Sequence, residues 1–267
     1  MQDGLLDVNQ SLFLELFGPE SPPPSPTTAP STAFATVDGS IADSKSFESS
    51  SCDDDEESAA NHNRGQPVAT SVPGLVMWKH ALSPAECRDV LDSIKHIGWF
   101  DPAAGINQAM RFGKLPTFLD TIGCLGRELI DEALSTRVPL FDQMIGNHYY
   151  PGQGLTAHVD LVNRFADGIV IASLCGSCIM EFSPVCDADT VHPCASSSIV
   201  EVFLESGDIV GLSGAARWSW KHGIPDRMVD EWQGQHYPRT ERISITLRRM
   251  LPTTDSALCM EMKTRDS

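Results

Sequence analysis

Arg242-Ile243-Ser244-Ile245-Thr246-Leu247-Arg248 alternates without a break: every even position is polar and every odd one aliphatic. Side chains leave a strand on opposite faces with a period of two, so the run reads as a strand with one polar and one apolar face. A solvated face on an edge strand accounts for this pattern. So does a ligand site, because two guanidiniums with hydroxyls between them suit a dianionic dicarboxylate, which arginine grips in bidentate forks. Upstream lie further short extended runs: QMIGNHYY from Gln143, GIVIASL from Gly168, CIMEF from Cys178, SIVEVFL from Ser198 and DIVGL from Asp208. Gly, Pro and Asn break them apart.

Ahead of these runs the chain has a different character. VPGLVMWKHAL (residues 72–82) reads as an entering strand, and Ser83-Pro84 starts a helix, with Ser83 as N-cap and Glu86 completing a capping box. A second helix is predicted over Ile122–Leu134. Helices first and many short strands after define an α+β domain: a sandwich or jelly roll (double-stranded β-helix) buttressed by N-terminal helices.

The 267 residues suffice for one large domain with a substantial core. No run of about 18 apolar residues is present to span a bilayer, and no secretory leader is read at the N-terminus. Eight irregularly spaced cysteines do not form a disulfide framework and point to reduced thiols in the cytoplasm or nucleus. The net charge of −17 is unevenly spread: residues 1–66 carry twelve acids against Lys45 and Arg64, and the rest of the chain has 24 acids and 17 bases. A local basic groove for nucleic acid therefore stays open. Residues 1–70, rich in Pro, Ser, Thr and acids, read as a disordered tail, residues 71–254 as the folded domain and 255–267 as a C-terminal tail. Leu5, Leu6, Phe13, Leu14, Leu16 and Phe17 mark a short segment able to dock on a protein partner, or simply to fray.

The chemistry centres on His158-Val159-Asp160. Residues two apart on a strand share a face, so an imidazole and a carboxylate can reach one metal ion there. With one more distant histidine this becomes the 2-His-1-carboxylate set of non-haem Fe(II) oxygenases. Asn147 and Tyr149 repeat the period-two logic just upstream, as uncharged donors able to orient a ligand.

These residues carry a family resemblance. NHYYPGQGLTAHVD (residues 147–160) resembles the Asn-x-Tyr-x-Pro-Gly…His-x-Asp segment of AlkB-type dioxygenases, RWSWKHGIP (residues 217–225) their strand with the distal histidine, and RISITLR their terminal Arg-x5-Arg strand. The resemblance covers roughly residues 72–252. It implies that His158, Asp160 and His222 bind Fe(II) and that Arg242, helped by Tyr149, pairs with the distal carboxylate of 2-oxoglutarate. It further implies that Ser244 lies along that strand's ligand face, and that Arg248 and Asn147 support the metal-chelating end. O2 is the co-oxidant. The nearest motif likeness is to the oxygenase domain that some relatives carry fused to a tRNA methyltransferase, though neither an RNA-recognition domain nor a methyltransferase is read in this chain.

Residues 105–118, GINQAMRFGKLPTF, occupy the place of that family's substrate lid, where Met110, Arg111 and Phe112 can contact a base by stacking and cation–π interaction, or form an ordinary surface loop. The resemblance thus implies oxidative demethylation of N-alkylated bases in DNA or RNA. Hydroxylation of a modified tRNA wobble uridine, and hydroxylation or demethylation of a protein or small molecule, are the alternatives. Cys175, Cys178, Cys186, His192 and Cys194 crowd a short stretch with one zinc-like Cys-x-x-Cys spacing. Two of them fall in a run read as an apolar strand, where cysteine serves as a small hydrophobe. His80, His96 and His148 read as packing or surface residues.

Overall fold

The structure, a computed structural model, describes residues 64–185 and 199–252. In chain order it contains β1 (Val68–Ala69), β2 (Leu75–Trp78), helix α1 (Pro84–His96), β3 (Gln108–Phe112), helices α2 (Asp120–Arg127) and α3 (Glu132–Ser135), and β4 (Gln143–Tyr149). Then follow β5 (Leu155–His158), β6 (Ile169–Cys175), β7 (Cys178–Pro184), β8 (Val200–Leu204), β9 (Ile209–Leu212) and the short helix α4 (Ala215–Trp218). The chain continues through β10 (Trp220–Ile224), β11 (Val229–Trp232), β12 (Gln235–Pro238) and β13 (Arg242–Arg248).

Antiparallel pairing makes a seven-stranded sheet in the order β1-β2-β9-β6-β13-β4-β3, a four-stranded sheet in the order β5-β10-β7-β8, and the β11-β12 hairpin. The pleat then sorts side chains into two layers. On one face of the large sheet Met144, Val170, Ala172, Ile245 and Leu247 pack with α1, α2 and the segments around them. On the other, Leu75, Ile169, Ile171, Val210 and Leu212 meet Cys178, Met180, Phe182, Val202 and Leu204 of the small sheet. The architecture is the expected one: a jelly-roll-like α+β fold with helices against one sheet. No helix of the described residues is long and apolar enough to cross a membrane.

Ser83 caps α1 as its sequence predicts. Its Oγ accepts from the Glu86 N–H, the Glu86 carboxylate accepts from the Ser83 N–H, and Pro84 holds the first helical position. Elsewhere the boundaries differ from the sequence reading. The single helix expected over Ile122–Leu134 is two short ones, because Leu129 and Ile130 turn into the core and Asp131 caps a fresh start by accepting the Ala133 N–H. Residues 64–70, assigned to the tail, belong to the fold: Arg64 pairs with Glu86, and Val68 and Ala69 pair with Met77 and Val76. Both β1 side chains are exposed, so a backbone-only pairing left no hydrophobic signal. The apolar segment near the N-terminus, the rest of that tail and the C-terminal tail lie outside the described residues.

Cys175 and Cys178 are not in one strand. Cys175 ends β6 and Cys178 begins β7, and Gly176, at φ +69°, turns the chain between the two sheets. A Cβ at Gly176 would come within 2.4 Å of the Glu241 carbonyl oxygen, so glycine is required for this close crossing. Cys186, His192 and Cys194, the remainder of that cluster, lie outside the described residues.

Candidate metal centre and cosubstrate pocket

The four-stranded sheet brings the two histidines together. β5 and β10 pair with His158 directly opposite His222, and their ring centroids lie 4.6 Å apart. Gly223 makes the pairing possible, because a Cβ there would stand 2.7 Å from Ala157 Cα. Asp160 falls two residues past the end of β5, in a loop rather than on the strand, and its Oδ2 reaches to 3.6 Å from His222 Nε2. One ligand atom from each of His158, Asp160 and His222 lies within 4.8 Å of the other two. The strand-parity argument thus reaches His158 but not the carboxylate.

The donor set fits a divalent metal. His158 Nδ1 lies 2.8 Å from the Thr156 carbonyl oxygen, and donation there leaves Nε2 as the ring's ligand atom. Burial, opposed by Asp160, pushes His222 down to about 4, which keeps its imidazole neutral and able to bind metal at physiological pH. Burial works to raise the Asp160 carboxyl, but the charges around it, Arg248 foremost and then His222, His158 and Arg217, hold it below the usual carboxylate range. Arg248 Nη2 stands 2.8 Å from Asp160 Oδ1. The pair is close but not aligned as a hydrogen bond, and both Asp160 oxygens lack a hydrogen-bond partner although the residue is 2% exposed. A buried carboxylate with orphaned oxygens beside two imidazoles is what a cation would satisfy.

The polar face of β13 looks onto this centre. Arg242, Ser244, Thr246 and Arg248 are all buried, which rules out the solvated edge strand: β13 is central, paired with β4 on one side and β6 on the other. Arg242 Nη2 donates to Ser173 Oγ at 2.9 Å, and its guanidinium sits over the Tyr149 ring at 5.5 Å. Burial, opposed by Arg242, pushes the Tyr149 phenol up to about 12, so it stays a donor at neutral pH. Arg248 lies over Phe165 at 4.7 Å, at the metal end of the strand. Asn147 is opposite Ser244 and Tyr149 opposite Arg242, so these two share the face of Arg242, Ser244 and Arg248. The Nε atoms of Arg242 and Arg248 are buried without partners. Beside Arg242 a cavity of about 10 Å³ is lined by Tyr149, Tyr150, Gln153, Cys178 and Arg239.

The lid segment is a strand, not a loop. β3 adds to the edge of the large sheet, with Gln108 opposite Asn147, Met110 opposite Ile145 and Phe112 opposite Gln143. Gln108, Met110 and Phe112 therefore share the site's face, Met110 buried and Phe112 40% exposed. Arg111 does not: pleat parity sends it to the helix face, where its guanidinium covers the Trp99 ring at 5.4 Å. It is removed from the substrate-contact set. His148 packs between Phe100 and Tyr150, with centroids at 5.4 and 4.6 Å, and His80 is exposed. The sequence reading missed Ser173, the partner of Arg242, and Phe165, under Arg248. Period-two parity along GIVIASL signals the first; nothing signals the second.

The sequence model of the 2OG-Fe(II) oxygenase superfamily matches residues 105–248. The chain belongs to this family and is an Fe(II)- and 2-oxoglutarate-dependent dioxygenase. Its curated relatives show that it is of the AlkB type. It is 28% identical over 207 residues to the alkylated DNA repair protein ALKBH8 homolog of Arabidopsis thaliana, covering 67% of this chain and 59% of that one. It is 30% identical over 178 residues to a Xenopus tropicalis protein named tRNA (carboxymethyluridine(34)-5-O)-methyltransferase alkbh8, covering 59% of this chain and 26% of that one. Uncharacterized protein L905 of Acanthamoeba polyphaga mimivirus is 31% identical over 141 residues, 52% of this chain and 60% of its own. The matched region thus spans between about a quarter and three fifths of these relatives' lengths.

Proposed function

We propose that this domain oxidises an alkylated base in DNA or RNA, removing an N-linked alkyl group, with Fe(II) held by His158, Asp160 and His222. Bound Fe(II) supplies the activation of O2 that, coupled to conversion of 2-oxoglutarate to succinate and CO2, turns a substrate C–H into C–OH. The chain's own residues do the rest. Arg242 forks the distal carboxylate, with the Tyr149 hydroxyl as a further donor, and Arg248 keeps Asp160 ionised while bounding the metal end. Asn147 and Ser244 complete the polar strip between the two arginines. The apolar layer between the sheets keeps water away from the reacting carbon. Hydroxylation of an N–CH3 carbon gives a hemiaminal that breaks its C–N bond to release formaldehyde and the N–H base.

The observation that carries this reading is the edge strand β3, which sets buried Met110 and half-exposed Phe112 on the face of the large sheet that bears the cosubstrate residues, where a flat base can lie against Phe112. A second reading is hydroxylation of a modified tRNA uridine, which releases no formaldehyde; one relative is named for methylation of a tRNA uridine, another for repair of alkylated DNA. Action on a protein or small molecule is the reading in which β3 contacts no base. Incubation with N-methylated oligonucleotides and with bulk tRNA, followed by mass spectrometry of nucleosides and a formaldehyde assay, separates the three. Succinate with stoichiometric formaldehyde supports demethylation. Succinate with a hydroxylated uridine and no formaldehyde supports the second reading, and nucleic-acid-independent turnover the third.

A further inference from the structure

Arg217 is among the largest fully buried side chains of the described residues, 1% exposed, and none of the residues named from the sequence assigned it a task. Burying a guanidinium is costly unless its donors and charge are matched. Here the match is unusual. Among the described residues no carboxylate lies within ion-pair distance; instead the donors go to main-chain carbonyls of one short loop. Nη1 donates to Asp160 O at 3.0 Å, Nη2 to Phe165 O at 2.8 Å and Leu161 O at 3.4 Å, and Nε to Ala166 O at 3.2 Å. The Trp218 ring covers the guanidinium at 4.1 Å. The loop they grip begins at the carboxylate that β5 itself does not hold.

We propose that Arg217 is a positioning residue for the metal centre: its fork ties the Asp160 carbonyl to the far side of the 160–166 loop and thereby aims the Asp160 carboxylate between His158 and His222. This rests on the reading of Asp160 as a metal ligand. The loop's other ties do not set that direction. Arg164 N and Phe165 N donate to Leu161 O at 3.2 and 3.1 Å, which closes the turn after Asp160 but does not reach Asp160 itself. Ala166 N donates to Arg249 O and Leu251 N to Arg164 O, which fasten its far end to the chain after β13. Arg248 approaches the carboxylate itself but leaves the backbone of Asp160 untouched. Among the described residues only Arg217 joins the Asp160 carbonyl to the loop's far side, across 57 residues of sequence, from the α4 turn just before the His222 strand. One side chain therefore couples the segments bearing two of the three ligands.

The test separates geometry from charge. Arg217→Lys keeps the cation and loses the fork, since an ammonium is a point charge. Mn(II) is the probe, titrated by the electron paramagnetic resonance of the unbound ion, with amide exchange read along the chain. Arg217→Lys is expected to raise the Mn(II) dissociation constant about 10- to 100-fold. Exchange at Arg164 and Phe165 should quicken while β6 and β13 stay as protected as in wild type. Asp160→Asn is the reference: weak Mn(II) binding with the loop still protected. Wild-type Mn(II) affinity in Arg217→Lys beside a weak Asp160→Asn overturns the positioning role alone. Wild-type affinity in Asp160→Asn overturns the metal reading beneath it. If Arg217→Lys does not fold, Trp218→Leu, which uncovers the guanidinium and leaves its hydrogen bonds, must weaken Mn(II) binding several-fold, and an unchanged constant overturns the proposal.

Discussion

Replacing Arg242 by alanine separates a structural arginine from one that waits for a ligand. In the structure its guanidinium makes one side-chain hydrogen bond, to Ser173 Oγ, and stacks on Tyr149, while its Nε has no partner although the residue is 3% exposed. Losing the Ser173 bond costs about 1 kcal/mol, small beside a domain stability of roughly 5–15 kcal/mol, so Arg242→Ala is expected to fold. The cosubstrate loses far more. Stripping one partner from a buried, hydrogen-bonded charge pair costs on the order of 2–5 kcal/mol, a rise of roughly 30- to several-thousand-fold in the apparent constant for 2-oxoglutarate. Mn(II) binding should be unchanged, because Arg242 is no ligand.

Two further variants fix the interpretation. Arg242→Lys should recover only part of the loss, since an ammonium cannot hold Ser173 and fork a carboxylate together. Arg249 follows β13 and donates to Pro139 O at 2.9 Å, with Asp142 Oδ2 at 3.1 Å, away from the cosubstrate cavity. That partly exposed pair is worth under about 1 kcal/mol, so Arg249→Ala should lower stability slightly and leave the 2-oxoglutarate constant alone. The assay is a 2-oxoglutarate titration followed by succinate release, repeated by calorimetry on the Mn(II) form. Equal constants for Arg242→Ala and Arg249→Ala would refute both the strand parity and the cosubstrate assignment.

His158→Ala, Asp160→Ala and His222→Ala should each abolish 2-oxoglutarate turnover with the far-ultraviolet dichroism intact, and full succinate production by one of them would remove that residue from the metal set. Gly223→Ala forces a Cβ to within 2.7 Å of Ala157 Cα, so β5 must shift with His158, and Mn(II) affinity should fall about tenfold or more; an unchanged affinity would mean the strands can part without moving the ligand. Asp230, 0% exposed, accepts from Arg239 Nε and Nη2 and from Arg227 Nε, and Asp230→Asn leaves buried Arg239 uncompensated. Urea denaturation should show a loss of about 3–5 kcal/mol, and a loss below about 1 kcal/mol would show that the hairpin relaxes around the change. A chain starting at Asn63 should decarboxylate 2-oxoglutarate as the full chain does, since every metal and cosubstrate residue of the candidate site lies between 147 and 248; a folded but inactive product would show that the tail takes part in the chemistry.

What the sequence disclosed and what it hid follow from the range of the forces involved. β13 was legible because parity is a local rule, and burial on both faces reinforces it: Ile243, Ile245 and Leu247 meet the helix layer and Arg242 to Arg248 the site. The same rule, carried to residues 110–112, separates Arg111 from its neighbours once β3 is seen to be a strand paired with β4 rather than a loop. β1 was hidden because it contributes only backbone hydrogen bonds, and the break between α2 and α3 because it depends on where Leu129 and Ile130 find space.

Asp160 is the instructive failure. The spacing rule put it beside His158 on a strand, and it does stand beside His158, yet β5 ends two residues too soon for parity to be the reason. The contact was foreseen from the motif and its cause was not, because the cause is Arg217, more than fifty residues away. A motif records which atoms must meet. The long-range contacts that make them meet leave a trace in the sequence only as an arginine where an apolar residue would otherwise pack. In this chain that trace is the first residue of RWSWKHGIP, five positions before the distal histidine, and the main-chain carbonyls it donates to beneath the Trp218 ring are what make a guanidinium tolerable at 1% exposure.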